Sequence, residues 1–383
     1  MKMRSGEISM NNNMFKYISN YGNLTFEEKS VTEIDILIFS QISYLNFNNI
    51  FINQNEEIKL LDLWQKARKN NIESQGFGHK VAFKLLDIIS TKKRYKDLIL
   101  KNYVYILEED TQFGAISIIV PNDSIYVSFE GTDNTIWGWK EDFKLTYIYP
   151  TESQRYAASY LNNAIKLNGP NVIVCGHSKG GNLALVGAMN TNIIKKLKIK
   201  KIYSFDGPGL KDEEFKSIKY KIIRNKLVNI IPNLSLVGIL LNQENKRVIK
   251  SRGVGIFQHD VTTWQIEEDY LKPSTQDKLS KRLEDSISDW LNKYNYKERE
   301  EIIEGVFSIF ETSGINNFND IDSFNDIYII VKSSLDMSKE TREVILNAIK
   351  LLVTDFSTEL INDSKKEIQD NLEKIFKREE QKK

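Results

Sequence analysis

Val172-Ile-Val-Cys-Gly176-His177-Ser178-Lys179-Gly180-Gly181-Asn182-Leu183-Ala184 is the stretch on which the fold turns. Its first four residues form an unbroken apolar run, the pattern of a strand buried on both faces of a parallel sheet. A helical pattern follows over residues 182–197, and between the two lies G-x-S-x-G. Strand, tight turn, helix is the context in which that motif signifies a nucleophile elbow. Sterics explain its glycines. A serine raised on so sharp a turn leaves no room for a side chain two residues before or after it, hence Gly176 and Gly180. Gly181 lets the helix pack close to the sheet. The turn lifts the hydroxyl at the strand's carboxyl end and aims the helix N-terminus at the same point. The backbone N–H of Lys179 then becomes an oxyanion donor, aided by the helix dipole. A plain βα turn can carry the same five residues; the flanking strand, the added glycine and the helix favour the elbow.

Outward from this point the chain alternates. Residues 201–205 form a second strand, so strand, helix and strand make a βαβ unit. On the N-terminal side, residues 153–167 are helical and Gly169-Pro170 stops them. Residues 112–120 and 125–129 are rich in β-branched and aromatic side chains. Pro121-Asn122-Asp123-Ser124 joins them, which reads as an antiparallel hairpin. Further upstream, Ile34, Leu37, Ile38, Gln41, Ile42 and Leu45 recur at helical spacing, with more helix over 58–68 and 80–89. The class is α/β, with a mostly parallel central sheet flanked by helices. From residue 275 the pattern is helical: 276–294, 297–310, 320–333, 338–361 and a charged tail, 365–381. The expected organisation is a flexible terminus over 1–13, an α/β domain over 14–270 and a helical region over 271–383.

A serine hydroxyl needs a base to take its proton. The chain has three histidines. His177 sits inside the elbow, where its side chain is expected to project away from the catalytic face, and His79 precedes the hairpin. In this fold the acid and then the histidine follow the serine. His259, in Gly255-Ile-Phe-Gln-His259-Asp260, meets that order. The acid candidate is Asp206, directly after the second strand in Ser204-Phe-Asp206-Gly207-Pro208-Gly209, where its strand end faces the serine. An Asx turn before Gly-Pro is the structural reading of the same residues. Asp260 is the rival acid, although neighbours on an extended segment point oppositely. Thr132, where Ile125-Tyr-Val-Ser-Phe129 runs into Glu130-Gly131, supplies the second oxyanion donor.

These segments resemble a known family. Phe129-Glu-Gly-Thr132 is similar to the F-R-G-[ST] segment of class 3 lipases, and Gly176-His-Ser-Lys-Gly-Gly181 to their G-H-S-L-G-G elbow. The chain resembles more closely a bacterial, Mbeg-like branch of that superfamily. The shared segments are Ser40-Gln-Ile-Ser-Tyr44-Leu45, Phe129-Glu-Gly-Thr-Asp133, Gly138-Trp-Lys-Glu-Asp142-Phe143, Gly176 to Ala184, Phe205-Asp-Gly-Pro-Gly209 and Gln258-His259-Asp260. The resemblance spans residues 14–270 and implies an α/β-hydrolase fold, a Ser178–Asp206–His259 triad, and Thr132 and Lys179 at the oxyanion hole. It implies no particular substrate. Two positions depart from class 3 lipases. Lys179 stands where leucine is usual, and Val228-Asn229-Ile230-Ile231-Pro232 lacks the aspartate of an N-D-x-V-P segment, which directs the acid role to Asp206.

Composition narrows the rest. A net charge of +1 gives no global pull toward nucleic acid. The single cysteine, Cys175, excludes an internal disulfide and a cysteine metal cluster. No cofactor or metal is expected. No apolar run is long enough to cross a membrane and Met1–Glu7 is not followed by an apolar h-region, so the cytoplasm is the expected location, with peripheral lipid contact left open. The expected function is a serine esterase or lipase-like enzyme acting on a small-molecule or lipid ester. A thioesterase or acyltransferase would use the same residues. The rival is a non-catalytic scaffold with the C-terminal helices as its interaction surface. Trp137 and Trp139 are candidates to line the substrate pocket, Lys179 is either solvated or a contact for an anionic ester, and residues 227–241 are either a flap or a buried strand and helix.

Overall fold

The computed structural model describes residues 13–313, except residues 52, 54–55, 71–75, 109–110, 133–135 and 254, and except the side chains of residues 76–78, 136, 137, 139, 256, 306 and 309–313. Helices α1 (Met14–Tyr21) and α2 (Glu33–Ile42) come first, then strand β1 (Ile58–Lys59) and helices α3 (Leu60–Lys69) and α4 (Gly76–Ile89). Strands β2 (Ile99–Glu108), β3 (Thr111–Ile119) and β4 (Ile125–Phe129) follow. Helices α5 (Ile136–Lys144) and α6 (Glu152–Ala164) lead to β5 (Val172–His177), α7 (Lys179–Asn190) and β6 (Ile199–Phe205). Then come α8 (Asp212–Lys216), α9 (Ile218–Ile223), β7 (Leu227–Pro232), β8 (Lys246–Ile249), a small hairpin of β9 (Ile266–Glu267) and β10 (Tyr270–Leu271), and helices α10 (Lys278–Lys293) and α11 (Tyr296–Ser313).

Strands β1 to β8 form one sheet in sequence order. Strands β1 to β4 pair antiparallel, and β4 to β8 pair parallel. The two-residue alternation of strand side chains divides the core between the sheet's faces. Ile173, Cys175, Tyr203 and Phe205 join the side packed by α1 to α4, whereas Val172, Val174, Ile199 and Ile202 join the side packed by α6, α7 and α9. The result is three layers, helices on both faces of a mostly parallel sheet with the elbow between its fifth strand and the next helix: an α/β-hydrolase fold. Its parallel strands all end on the same side, so the turns after β4, β5 and β6 converge there.

The hairpin and the βαβ unit lie where the sequence places them, and the helices near 276–294 and 297–310 are α10 and α11. Helix α11 lies against α5, with Lys140 Nζ 2.6 Å from Glu304 Oε2 and the Phe143 and Phe307 rings 5.8 Å apart. The helices expected over 320–333, 338–361 and 365–381, and the terminus over residues 1–12, lie outside the described residues. Residues 227–241 contain the expected strand, β7, but no helix: turns follow it, and Ser235 and Gly238 in them bond Asp206.

Candidate active site

Ser178 has φ 57° and ψ −133°, a left-handed backbone that a non-glycine residue adopts only when its surroundings force it. Two bonds impose it. The Ser178 N–H donates to the Phe205 carbonyl at 2.9 Å, and the Ser178 carbonyl accepts from the Gly181 N–H at 2.8 Å. A Cβ at Gly176 would overlap the Gly180 backbone, which is the steric demand read from the motif. Lys179 begins α7, so its N–H is one of the helix's unsatisfied first-turn donors. Among the described residues the Ser178 hydroxyl makes no hydrogen bond. In resting hydrolases the serine–base contact is often long and closes on substrate binding.

Asp206 follows β6 directly and is fully buried. Its φ is 50°, a conformation aspartate tolerates better than most side chains. Its Oδ2 lies 2.6 Å from His259 Nδ1, and its Oδ1 accepts from the Ser235 hydroxyl at 2.5 Å and from the Gly238 N–H at 3.1 Å. Three donors fix the carboxylate and aim one oxygen at the imidazole. Ser235 and Gly238 have no local signal in the sequence, since they reach Asp206 from 29 and 32 residues away. The rival acid, Asp260, is spent locally: its oxygens accept from the Thr262 N–H at 2.8 Å and the Thr262 hydroxyl at 2.7 Å, capping a short 3-10 turn.

His177 does not project away from this centre. Its ring centroid is 4.4 Å from that of His259, and its Nε2 donates to the His259 carbonyl at 2.9 Å. A carbonyl only accepts, so the proton sits on Nε2 and Nδ1 accepts the Tyr44 hydroxyl proton at 2.9 Å. Burial, then the neighbouring His259, pushes the His177 imidazole well below the usual histidine range, which keeps that neutral tautomer. Tyr44 and His177 therefore brace the main chain that carries His259. The elbow's turn geometry implies a direction for the Ser178 side chain and the opposite one for the residue before it; the His259 segment nevertheless packs against His177.

Gly131 lies against the same turn, since a Cβ there would overlap the Tyr44 hydroxyl and come 2.5 Å from the His177 carbonyl. Thr132 is thus held beside the elbow. Its buried hydroxyl and Oδ1 of the buried Asp142 make no well-formed hydrogen bond, although the two side chains are close enough to interact. Burial pushes the Asp142 carboxyl up to about 7, against the pull of Lys179.

The Lys179 side chain is neither solvated nor turned toward substrate. It is 2% exposed, and its Nζ lies 2.6 Å from Glu141 Oε2 and donates to the Gln112 carbonyl at 3.0 Å. Glu141 also accepts from the Ser153 hydroxyl at 2.5 Å. Burial works against the Lys179 ammonium, but Glu141 and Asp142 outweigh it and hold its pKa above the ordinary lysine value. His79 is a packing residue beside Glu130, Nε2 to Oε1 3.4 Å. Trp137 and Trp139 belong to α5, and their side chains lie outside the described residues. Among the described residues no cluster of His, Cys, Asp and Glu is arranged to hold a metal ion.

The pattern of the Mbeg1-like family matches residues 89–308, more than half of the chain. The chain belongs to the Mbeg1-like family. The match holds the elbow, Asp206, His259, Thr132 and the Lys179–Glu141 pair, together with helix α10 and most of α11. Tyr44, on which the Mbeg1-like site leans through His177, lies before it. Among solved structures, the crystal structure of M37 lipase is similar at 17% identity and a TM-score of 0.35, over 55% of this chain and 70% of that one. No curated protein matches the sequence.

Proposed function

We propose that this Mbeg1-like protein is a serine hydrolase of the class 3 lipase type that cleaves a carboxylic ester through an acyl-enzyme on Ser178. The observation that carries the reading is the 2.6 Å contact between His259 Nδ1 and a three-times-bonded, buried Asp206, whose preceding residue, Phe205, accepts the backbone N–H of the strained Ser178. With Nδ1 engaged by the carboxylate, Nε2 is the nitrogen available to the Ser178 hydroxyl. As Oγ bonds to the ester carbonyl carbon, its proton passes to Nε2. The carbonyl oxygen becomes an oxyanion, for which the backbone N–H groups of Lys179 and Thr132 are the donors. The imidazolium then protonates the departing alkoxide as the C–O bond breaks. Water repeats the sequence on the acyl-enzyme, giving its proton to His259 as it attacks and releasing the acid. Asp206 holds the tautomer and offsets the imidazolium charge throughout.

Treatment with a fluorophosphonate and with p-nitrophenyl esters of short and long chain tests this. The wild type is expected to label and to turn over at least one ester. Ser178→Ala is expected to abolish labelling, and His259→Ala to slow it by a factor on the order of 10³ or more. A folded wild type that neither labels nor hydrolyses any ester in the set would favour the scaffold reading.

A further inference from the structure

Two segments whose cations cluster toward the end of the sheet away from Ser178 carry an unusual charge. Residues 191–205 and 215–228 together contain ten Lys and Arg and no Asp or Glu, in a chain whose total charge is +1. The first spans the turn after α7 and the whole of β6, with its lysines in the turn and at the start of the strand. The second spans α9 and the start of β7. They are joined in space: Lys226 Nζ donates to the carbonyls of Lys196 and Ile199, each at 2.7 Å, and Lys219 Nζ donates to Asn190 Oδ1 at 2.8 Å. Burial and then Lys219 lower the pKa of Lys196, and burial and then Lys200 lower that of Lys226. Among the described residues, Lys216 and Arg224 are the two of the ten cations that face a carboxylate within ion-pair distance.

The same surface exposes aliphatic side chains. Ile193, Ile194, Leu197, Ile218 and Ile222 are all solvated, Leu197 being 70% and Ile218 75% exposed. Large aliphatics standing among unpaired lysines lose solvation energy where they are, and recover it only against an apolar partner that also bears negative charge. We infer that this face docks on an anionic lipid bilayer, the aliphatic side chains entering the interface and the lysines meeting the headgroups.

Two other occupants fit less well. A second copy of the chain in a twofold contact would set lysine against lysine. A nucleic acid would match the charge but would leave the aliphatics unused, and the patch offers no exposed aromatic ring for base stacking. Because the parallel strands begin at this face and end at the elbow, docking leaves Ser178 directed away from the bilayer. The surface is thus a tether rather than an entrance for substrate, and the inference stands whether or not Ser178 is catalytic.

Flotation of the full chain with vesicles tests it. Vesicles of phosphatidylcholine alone and of phosphatidylcholine with phosphatidylglycerol are compared at low and high salt. Binding is expected to the anionic vesicles only and to weaken with salt. Lys200→Glu/Lys219→Glu/Lys221→Glu is expected to weaken it at least about tenfold. Leu197→Ser/Ile218→Ser is expected to weaken it while leaving salt dependence in place. All five of those positions are exposed, and an unchanged melting temperature verifies each fold. Equal binding to both vesicle types, unaltered binding by the lysine variant, or tighter binding to single-stranded RNA than to anionic vesicles would overturn the inference.

Discussion

Gly238 carries no side chain and yet helps decide where the Asp206 carboxylate stands. Its N–H donates to Asp206 Oδ1 at 3.1 Å, and a Cβ there would overlap that oxygen and meet the Ser235 hydroxyl at 2.9 Å. Gly238→Ala is therefore expected to displace the carboxylate from His259 without emptying any core position. The fluorophosphonate labelling rate should fall by roughly ten- to a hundredfold, with the melting temperature also lowered because the Cβ crowds the buried Ile231, whereas Asp206→Asn should cost on the order of 10³–10⁴ in ester turnover through the wrong imidazole tautomer. A Gly238→Ala protein that labels at the wild-type rate would mean that the Ser235 bond alone aligns Asp206. The order of strands is what marks Ser178, His259 and Asp206 in the sequence as candidates, and the structure brings two of them, Asp206 and His259, into contact. The sequence hides Ser235, Gly238, Tyr44 and the orientation of His177, because their roles are contacts across many residues with no local pattern to mark them.

Helix α5 shows how an element gains charge that its own residues do not explain. It brings Glu141 and Asp142 under the oxyanion segment, where Lys179 from α7 neutralises one of them. Removing the cation alone leaves a buried carboxylate without its partner. Lys179→Met should destabilise the fold by about 3–5 kcal/mol, and Lys179→Met/Glu141→Gln should recover most of that loss in urea unfolding. Asp142 adds a pH dependence of definite sign. Its folded pKa of about 7 lies above the unfolded value of 3.8, so between those values the folded state holds a proton that the unfolded state has released. Stability therefore falls as pH rises through that window, by about 1.4 kcal/mol per unit and at most about 4 kcal/mol in total. Asp142→Asn should be close to wild type near pH 4 and more stable than wild type above about pH 7. Equal pH profiles for the two proteins would remove Asp142 as the titrating group. The sequence conceals α5 and β2 for different reasons. In α5, Gly138 and two tryptophans interrupt a polar run, so no apolar stripe marks the helix. In β2 the alternation slips at a bulge between Lys101 and Val104, where Asn102 has φ 54°. By contrast β5 and α7 are legible because both are almost wholly buried and bounded by glycine.

At the scale of the molecule, the layer of α1 to α4 must be fastened to the sheet that carries the site, since Tyr44 reaches His177 from it. Asp35 and Arg94 tie that layer together and join it to the turn that leads into β2. Both side chains are fully buried, and Arg94 meets Asp35 with two donors, Nε at 2.8 Å and Nη2 at 2.6 Å. Its remaining donors reach the carbonyls of Thr25, Lys29 and Ser30, which closes the connection between α1 and α2. Tyr17 and Tyr95 complete the shell around Asp35 at 3.0 and 2.7 Å. Arg94 thus satisfies four residues of two segments, α2 and the connection before it, with one planar fork, a geometry that a lysine ammonium cannot reproduce. Arg94→Lys is expected to keep the charge and still lose about 2 kcal/mol or more, and Arg94→Ala to lose about 3–5 kcal/mol by stranding Asp35. Urea unfolding followed by far-ultraviolet circular dichroism gives the stability. Labelling of the still-folded variants with fluorophosphonate gives the consequence for the site. Because Tyr44 is carried by the layer that Arg94 secures, labelling should slow in both variants by more than the small unfolded fraction accounts for. Full labelling rates in a destabilised Arg94→Ala protein would show that the brace on His259 is independent of the helical layer beneath it.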